Sequence, residues 1–331
     1  MSEKSDFTLP PGLGPGAELD YRFPECFAAS IPEGVRVLTA FFAALCRRDL
    51  EGRAGLMHFP FASFEGNECV VIESAEAFLA GPPPSLDMSA VAPGSFDLLS
   101  GMEVLLFDPV RVGLALSYSR HRKDGIKLVE CGSVYAATKN QGRWALEIGS
   151  TIFTPADQVH VVYQDAVENA LRLGREWMEG WTHSDAGLLD GTRQFGLHAN
   201  IGYPGPGSRF KAVQEGTLAR VYRSSGVTSR LDIAKIAPDS KGHYDFSSFR
   251  INAGHGVGGY AYTLHRPDSR VLHHTYNKAH MAGGYTRYQA DGSLLSETHG
   301  LSIVTKVNGH WGNAGGFGAV IRHDATNDER G

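Results

Sequence analysis

Cysteine is scarce in this sequence, and none of it is spaced for chemistry. The four residues, Cys26, Cys46, Cys69 and Cys131, all fall in the first half and form no CxxC. That excludes a thiolate metal cluster and a disulfide framework, and it reads as reduced core thiols in a cytoplasmic protein. Charge of one sign is lacking too. Thirty-one Lys+Arg against 36 Asp+Glu leave −5, which gives no reason to expect nucleic acid or another polyanion as partner. No apolar run approaches the ~20 residues that a membrane span needs, so no membrane is expected. The opening MSEKSDFTLPPGLGPG has neither the basic region nor the apolar centre of an export signal. No HExxH or Cys/His ligand spacing accompanies the 14 histidines, so no metal is expected. Gly202 to Gly207 includes Pro204 and Pro206, and Gly254 to Gly259 precedes no helix pattern. Neither stretch is a phosphate cradle, and no cofactor is implied.

What the sequence does have is a stretch that occurs twice. Residues 120–144, RHRKDGIKLVECGSVYAATKNQGRW, align without a gap on residues 287–311, RYQADGSLLSETHGLSIVTKVNGHW. Arg120 meets Arg287, Asp124-Gly125 meets Asp291-Gly292, Thr138-Lys139 meets Thr305-Lys306, and Gly142 and Trp144 meet Gly309 and Trp311. The spacing is 167 throughout (287 − 120). Each copy reads as strand, Asp-Gly turn, long strand, Asn/Gly turn and a strand opening on Trp. A repeat of this length implies two copies of one folding unit.

Residues 1–30 are rich in Pro and Gly and read as an irregular arm. Pro32-Glu33 opens a helix whose Val35, Leu38, Phe41, Phe42 and Leu45 follow a 3.6 period, and Arg47-Arg48-Asp49 ends it. A short helix over 50–57, a strand over 59–64, a turn at 65–67, a returning strand 69–72 and a helix over 74–80 follow. Strands around 102–106, 110–120, 126–139 and 143–153 complete the first unit, 31–158. The second, 159–324, begins with a helix carrying Ala166, Ala170, Leu173, Trp177 and Trp181, broken at His183-Ser184-Asp185. Asp49 and Asp185 are 136 apart, so 167 − 136 leaves 31 extra residues in the second copy. They fall within 201–275, where an insertion on a rim favours binding. Helices followed by a bent antiparallel sheet, twice, is an α+β fold of two tandem cone-shaped barrels.

This pattern resembles the nuclear transport factor 2-like superfamily, also called SnoaL-like or ketosteroid-isomerase-like. The resemblance is carried by Ala136 to Lys139 with Gly142-Arg143-Trp144, by Ile303 to Lys306 with Gly309-His310-Trp311, and by Asp49-Leu50-Glu51-Gly52 before His58-Phe59-Pro60-Phe61. It implies helices closing over a concave sheet around an apolar pocket. It also implies cofactor-independent isomerases, dehydratases or lyases, alongside members that only bind. The isomerase branch uses a carboxylate at the end of the first strand and a phenol on the first helix. Those positions fall on Glu65 and Phe41 in the first copy, and on Ile201 and Trp177 in the second. Members commonly dimerise through the sheet, so two copies in one chain imply an internal pseudo-dimer and leave a homodimer open.

Strand alternation sorts the remaining candidates. Val110, Val112, Leu114 and Leu116 form an apolar face that points into the first cone. Their counterparts Asn277, Ala279, Met281 and Gly283 are smaller and partly polar, which reads as a pocket in the second. The opposite face, His274, Tyr276, Lys278 and His280, reads as an outer or interdomain surface. Glu297, His299, Leu301 and Ile303 share a face that the aliphatics mark as inward, so Glu297 would orient His299 as a general base. His198 and Asn200 alternate on the second unit's first strand with Tyr203 at its end. Tyr260 and Tyr262 alternate on the Gly-rich strand. The expected catalytic residues are therefore His299, Glu297, His198 and Tyr203, with Asn200, Trp177, Tyr260, Tyr262, Asn277 and Met281 binding substrate. Phe41, Phe42, Phe59, Phe61 and Phe64 would fill the first cone and make it structural. The expected function is a cofactor-independent lyase, dehydratase or isomerase acting on a mid-sized apolar small molecule, aromatic or polycyclic. The alternative is a small-molecule-binding protein or pseudo-enzyme on the same fold.

Overall fold

The computed structural model of the chain describes residues 29–66, 68–81, 94–108, 111–183, 194–201, 209–211, 220–222, 262–265, 269–288, 292–307 and 309–322. Helix α1 (Ser30–Cys46) buries Val35, Leu38, Phe41, Phe42 and Leu45, the residues whose period announces it. It ends where Arg48 turns to φ 60°. Asp49 then caps helix α2 (Leu50–Ala54), accepting the Gly52 N–H at 2.7 Å. Strand β1 (Met57–Glu65) starts at Met57, inside the expected helix 50–57, because Met57 pairs with Leu146 and its side chain enters the core. Strand β2 (Glu68–Ile72) returns along it, and Ser74 caps helix α3 (Ala75–Ala80). Strands β3 (Phe96–Asp108), β4 (Arg111–His121), β5 (Lys127–Asn140) and β6 (Arg143–Pro155) form the expected meander. The sheet order is β2-β1-β6-β5-β4-β3, with β1 and β6 parallel and every other pair antiparallel. Bulges interrupt the β3/β4, β5/β6 and β1/β6 ladders, the usual device for bending a sheet.

Helix α4 (Gln164–His183) opens the second half. Strands β7 (Gln194–Ile201), β8 (Arg209–Lys211), β9 (Arg220–Tyr222), β10 (Tyr262–His265), β11 (Arg270–His274), β12 (Lys278–Tyr288), β13 (Leu294–Val307) and β14 (His310–Arg322) follow. The second sheet runs β10-β12-β13-β14-β7, with β11 also on β12 and β7 parallel to β14. The turn glycines agree with the sequence: Gly125 and Gly292 take φ 87° and 83°, Gly142 and Gly309 take 80° and 81°. The architecture is mixed α+β, as expected.

Both sheets are buried on two faces. In the first, Val112, Leu114, Leu116, Tyr135 and Ala137 lie against Phe41, Phe42 and Leu38 of α1. On its other face Ala62, Phe64, Leu106, Ala115, Val134, Ala136 and Ile148 form one core with Leu301, Ile303, Ala314 and Phe317 of the second sheet. Two expectations are corrected by this. Phe64 belongs to the contact between sheets rather than to the filling under α1. Leu301 and Ile303 point to the first sheet, not under α4, so the face they share with His299 is the intersheet face. Register is the reason: Leu114 lies opposite Tyr135, which leaves Val134 and Ala136, and with them their counterparts, on the far side.

The helices dock with large and small residues exchanged. A Cβ on Gly34 would stand 2.5 Å from Val112 Cβ, whereas in the second half Ala170 of the helix and Ala279 of β12 belong to one buried cluster. A Cβ on Gly174 would stand 2.4 Å from Met281 Cε, and one on Gly283 2.5 Å from Ser269 Oγ. The volume expected to open at Gly283 is therefore filled, by Ser269.

Candidate active site on the concave face

The polar residues on the concave face of the first sheet come from three adjacent strands. Ser63 of β1 lies beside Gly149 of β6, and Gly149 beside Tyr135 of β5. One row on, Thr151 pairs with Ser133. Ser133, Tyr135, Gly149 and Thr151 share the face of Leu114 and Leu116, so all turn under the helices. Gly149 lets this happen. A Cβ there would stand 2.9 Å from Tyr135 Cε1 and 3.0 Å from Phe61 Cζ, so only a glycine lets the Tyr135 ring lie across β6 towards β1.

Hydrogen bonds gather them into two groups, Ser63 with Glu65 and Ser133 with Thr151 and Tyr135. Ser133 Oγ and Thr151 Oγ1 are 2.9 Å apart, and Ser63 Oγ donates to Glu65 Oε1 at 2.5 Å. Glu65 is half-buried at the end of β1, so the row runs from a buried phenol to a carboxylate at the rim. Burial pushes the Tyr135 phenol above its ordinary pKa. Hydrogen bonds with Thr151 and Ser133 and the Arg53 charge pull it down, and the Glu65 charge pushes it up. Tyr135 is therefore a neutral phenol at physiological pH, within the field of one carboxylate and one guanidinium. Arg53, buried in α2, also stacks over Phe78 at 5.5 Å. Phe41 of α1 packs on Tyr135 with ring centroids 5.7 Å apart.

The same face continues to an ion pair. Arg120 Nε and Nη2 donate to Asp97 at 2.7 and 3.1 Å, both side chains being enclosed. Beside them burial raises the Tyr118 phenol and pushes the Cys131 thiol up to about 12. Cys131 is the buried thiol the sequence suggests, whereas Cys46 is exposed at the end of α1, not a core residue.

The residues expected in the second half are dispersed. His299 is half-buried on the intersheet face of β13, opposite Gly284 and Ala319, so it does not face a space under α4. Glu297 stands on the same face of the strand, its side chain outside the described residues. Met281 is buried against Gly174. Asn277 sits in the turn before β12, its side chain accepting from Thr275 Oγ1 at 3.1 Å and its carbonyl from Lys306 N at 2.8 Å. His198 and Asn200 lie on β7, Trp177 on α4 and Tyr262 on β10, with side chains outside the described residues. Tyr203 and Tyr260 lie outside them altogether.

His280 and Lys278 occupy the seam between sheets. His280 Nε2 is 2.8 Å from Ser150 Oγ, its Nδ1 3.3 Å from His273 Nδ1, and His273 Nε2 3.3 Å from Ser117 Oγ. Lys278 Nζ donates to the Phe64 carbonyl at 2.6 Å. Burial lowers the His273 pKa to about 4 and that of His280 well below its ordinary value, so both rings are neutral. Among the described residues no group of His, Cys, Asp and Glu is arranged to hold a metal ion.

The sequence reading passed over Ser133, Tyr135, Thr151 and Arg53. The signal was present: once Leu114 is placed inward, antiparallel register with β5 carries Tyr135 inward with it.

No family model matches the chain, and no curated protein matches it. Solved structures do resemble part of it. An NTF2-like protein of unknown function from Pseudomonas putida is 13% identical, over 37% of this chain and 85% of that one, with TM-score 0.31. Hexachlorocyclohexane dehydrochlorinase LinA-type3 from Novosphingobium barchaimii is 10% identical, over 40% and 95%, with TM-score 0.31. The association domain of C. elegans CaMKII is 16% identical, over 39% and 98%, with TM-score 0.31. At this level the likeness says nothing about chemistry, and the site is read from its own residues.

Proposed function

We propose that the chain is a cofactor-independent acid–base enzyme acting on a small apolar carbonyl compound, with the first half as the reacting unit and the second half its internal partner. The observation that carries this reading is the juxtaposition, across Gly149, of the Ser63–Glu65 pair with Tyr135, Ser133 and Thr151. It sets a rim carboxylate and a neutral buried phenol on one concave face. In such a site Glu65 takes a proton from the carbon next to the carbonyl, and the electron pair moves onto the oxygen. Tyr135 donates a hydrogen bond to that oxygen, and Glu65 returns the proton to a different carbon, an isomerisation with no net redox change. Loss of a leaving group from the same carbanion would make the enzyme a lyase.

The rival is a non-catalytic scaffold, favoured by the filling of this face. Tyr135 is 2% exposed, Phe42 stands edge-on to Tyr118 at 5.2 Å, and Phe41 and Phe61 crowd the phenol. The two readings separate on a panel of β,γ-unsaturated aromatic and alicyclic ketones, followed by absorbance of the conjugated product without added metal or nucleotide. Turnover by the parent chain, lowered roughly 10²–10⁴-fold in Glu65→Gln, is the expected result. Tyr135→Phe should act through kcat. Parent turnover that survives Glu65→Gln would assign the chemistry elsewhere, and ligand binding without turnover would establish the scaffold.

A further inference from the structure

The hairpins β5–β6 and β13–β14 carry the same two side chains in the same register. Lys139 lies opposite Trp144, and Lys306 opposite Trp311. In the second hairpin these donors converge on a carboxylate from the first turn of α4. Lys306 Nζ and Trp311 Nε1 each stand 2.8 Å from Asp165 Oδ2, and Lys306 Nζ lies 5.6 Å from the Trp311 ring centroid. Helix α1 docks in matching register, since Gly34 and Val112 take the places of Ala170 and Ala279. The counterpart of Asp165 is therefore residue 29 (165 − 136), which is an alanine.

The first hairpin thus keeps both donors and lacks the acid. Beside it lies an open cleft of about 600 Å³ lined by Glu33, Arg36, Gly55, Lys139, Arg143 and Trp144. Glu33 does not take the place of Asp165, because it is paired with Arg36 Nε and Nη2 at 3.0 and 2.8 Å. Arg143 spends its hydrogen bonds on the Gly55 and Met57 carbonyls and on His58 Nδ1, acceptors that leave its charge uncompensated. Lys139 is exposed and has no ion-pair partner among the described residues. With Glu33 and Arg36 cancelling, the cleft presents two positive charges and a half-buried indole.

We propose that this cleft binds the carboxylate of a small organic acid, with Lys139 Nζ and Trp144 Nε1 in the roles that Lys306 and Trp311 play towards Asp165. The Trp144 ring and the plane of the Arg143 guanidinium favour an acid with a flat, aromatic body. The inference rests on reading the halves as copies of one unit and is independent of chemistry at Glu65.

The test uses benzoate and its uncharged analogue benzamide on the full, ¹⁵N-labelled chain, following the indole N–H resonances. The Trp144 resonance is assigned by its loss in Trp144→Phe. Benzoate should move the Trp144 signal saturably and leave that of Trp311 in place, and benzamide should not. Lys139→Met, an exposed position whose change leaves the fold intact, should weaken benzoate by about tenfold or more, the size of a charge-assisted hydrogen bond. Ala29→Asp, which supplies the missing acid from the chain, should abolish the response. A Trp144 signal insensitive to benzoate at low ionic strength, or equally sensitive to benzamide, overturns the proposal. So does a Trp144 proton already as far downfield as that of Trp311 before any addition, which would mean that an acid of the chain itself fills the site. None of these readouts requires turnover, so they stand or fall apart from the acid–base reading.

Discussion

Glu103 and Arg270 form an ion pair between the two sheets, and they stand 167 residues apart, the spacing that aligns the two repeated stretches. They also hold matching places in their ladders, Glu103 opposite Ala115 and Arg270 opposite Ala282, again 167 apart (282 − 115). On the reading of the halves as copies of one unit, a residue that meets its own counterpart lies on a two-fold axis. The contact of His280 with Ser150 obeys the same operation, because its image is Gly113 with Phe317. A Cβ on Gly113 would stand 2.6 Å from the Phe317 ring, so that contact exists as well. Two identical subunits would set like charges on the axis. On the same reading, one chain carrying both units lets one side be acidic and the other basic.

Reversing one charge should therefore cost more than reversing both. Both side chains are nearly half exposed, 47% and 44%, so the pair is worth ~0.2–1 kcal/mol after solvent screening. Glu103→Arg and Arg270→Glu should each lower stability by about that amount, and the double exchange should recover most of it. Urea unfolding of the four chains measures this, and 1 M salt should flatten the differences. A double exchange no better than the sum of the singles would remove the pair from the axis.

The buried histidines make stability depend on pH. An unfolded histidine titrates at about 6.5, whereas burial brings His273 down to about 4 and holds His280 well below its ordinary value. Between those values the unfolded chain binds more protons, so this stability is whole above about pH 6.5 and falls as pH drops towards 4. The slope should approach 1 kcal/mol per pH unit for each ring, to order of magnitude. Lys278, fully enclosed beside His280, adds its charge against protonation. Urea midpoints at pH 7, 6 and 5 test the slope. His280→Gln, which can still bond Ser150, should remove about half of it.

Much of this fold was legible because local rules settle it. The α1 period, the Asp49 cap and the Asp-Gly and Asn/Gly turns each require one conformation. Facing was harder. Leu301 and Ile303 announce burial, but alternation separates two faces without telling which is under a helix, and here both are buried. The inward assignment of His299 failed for that reason, although it conflicted with the inward placement of Leu114 once strand register is applied. Small residues misled in a related way. Gly174 and Gly283 remove volume from the chain, but a neighbour, Met281 or Ser269, fills it, so composition alone does not distinguish a cavity from a close approach. Tyr135 escaped notice because Thr151 and Glu65 lie on other strands and come near it only through the pairing of β5, β6 and β1.

Helix docking offers a test of the exchanged pairs. Gly34→Ala adds a Cβ 2.5 Å from Val112 Cβ, which overpacking should turn into a loss of about 1–3 kcal/mol despite the better helix propensity of alanine. Adding Val112→Ala to it recreates the Ala170–Ala279 pair and should recover part of the loss. Thermal unfolding of both variants checks this; a double variant less stable than Gly34→Ala would mean that the halves dock differently.

The Asp97–Arg120 pair should respond asymmetrically to removal of its partners. Its side chains are 0% and 2% exposed, so each charge is balanced by the protein rather than by water. Arg120 has Asp97 as its charge partner, and its Nη1 makes no hydrogen bond with the described residues. Asp97, by contrast, has a second cation, Arg48 Nη1, at 3.6 Å. Asp97→Asn therefore strands a buried guanidinium and should cost about 3–5 kcal/mol. Arg120→Met leaves the carboxylate with Arg48 and keeps most of the packing, so its cost should be smaller by about 1 kcal/mol or more. Replacing both, as Asp97→Leu with Arg120→Met, removes the charges together and should be more stable than Asp97→Asn alone. Guanidinium unfolding of the three variants ranks them. Equal losses in the two single variants would mean that Arg48 does not share the carboxylate.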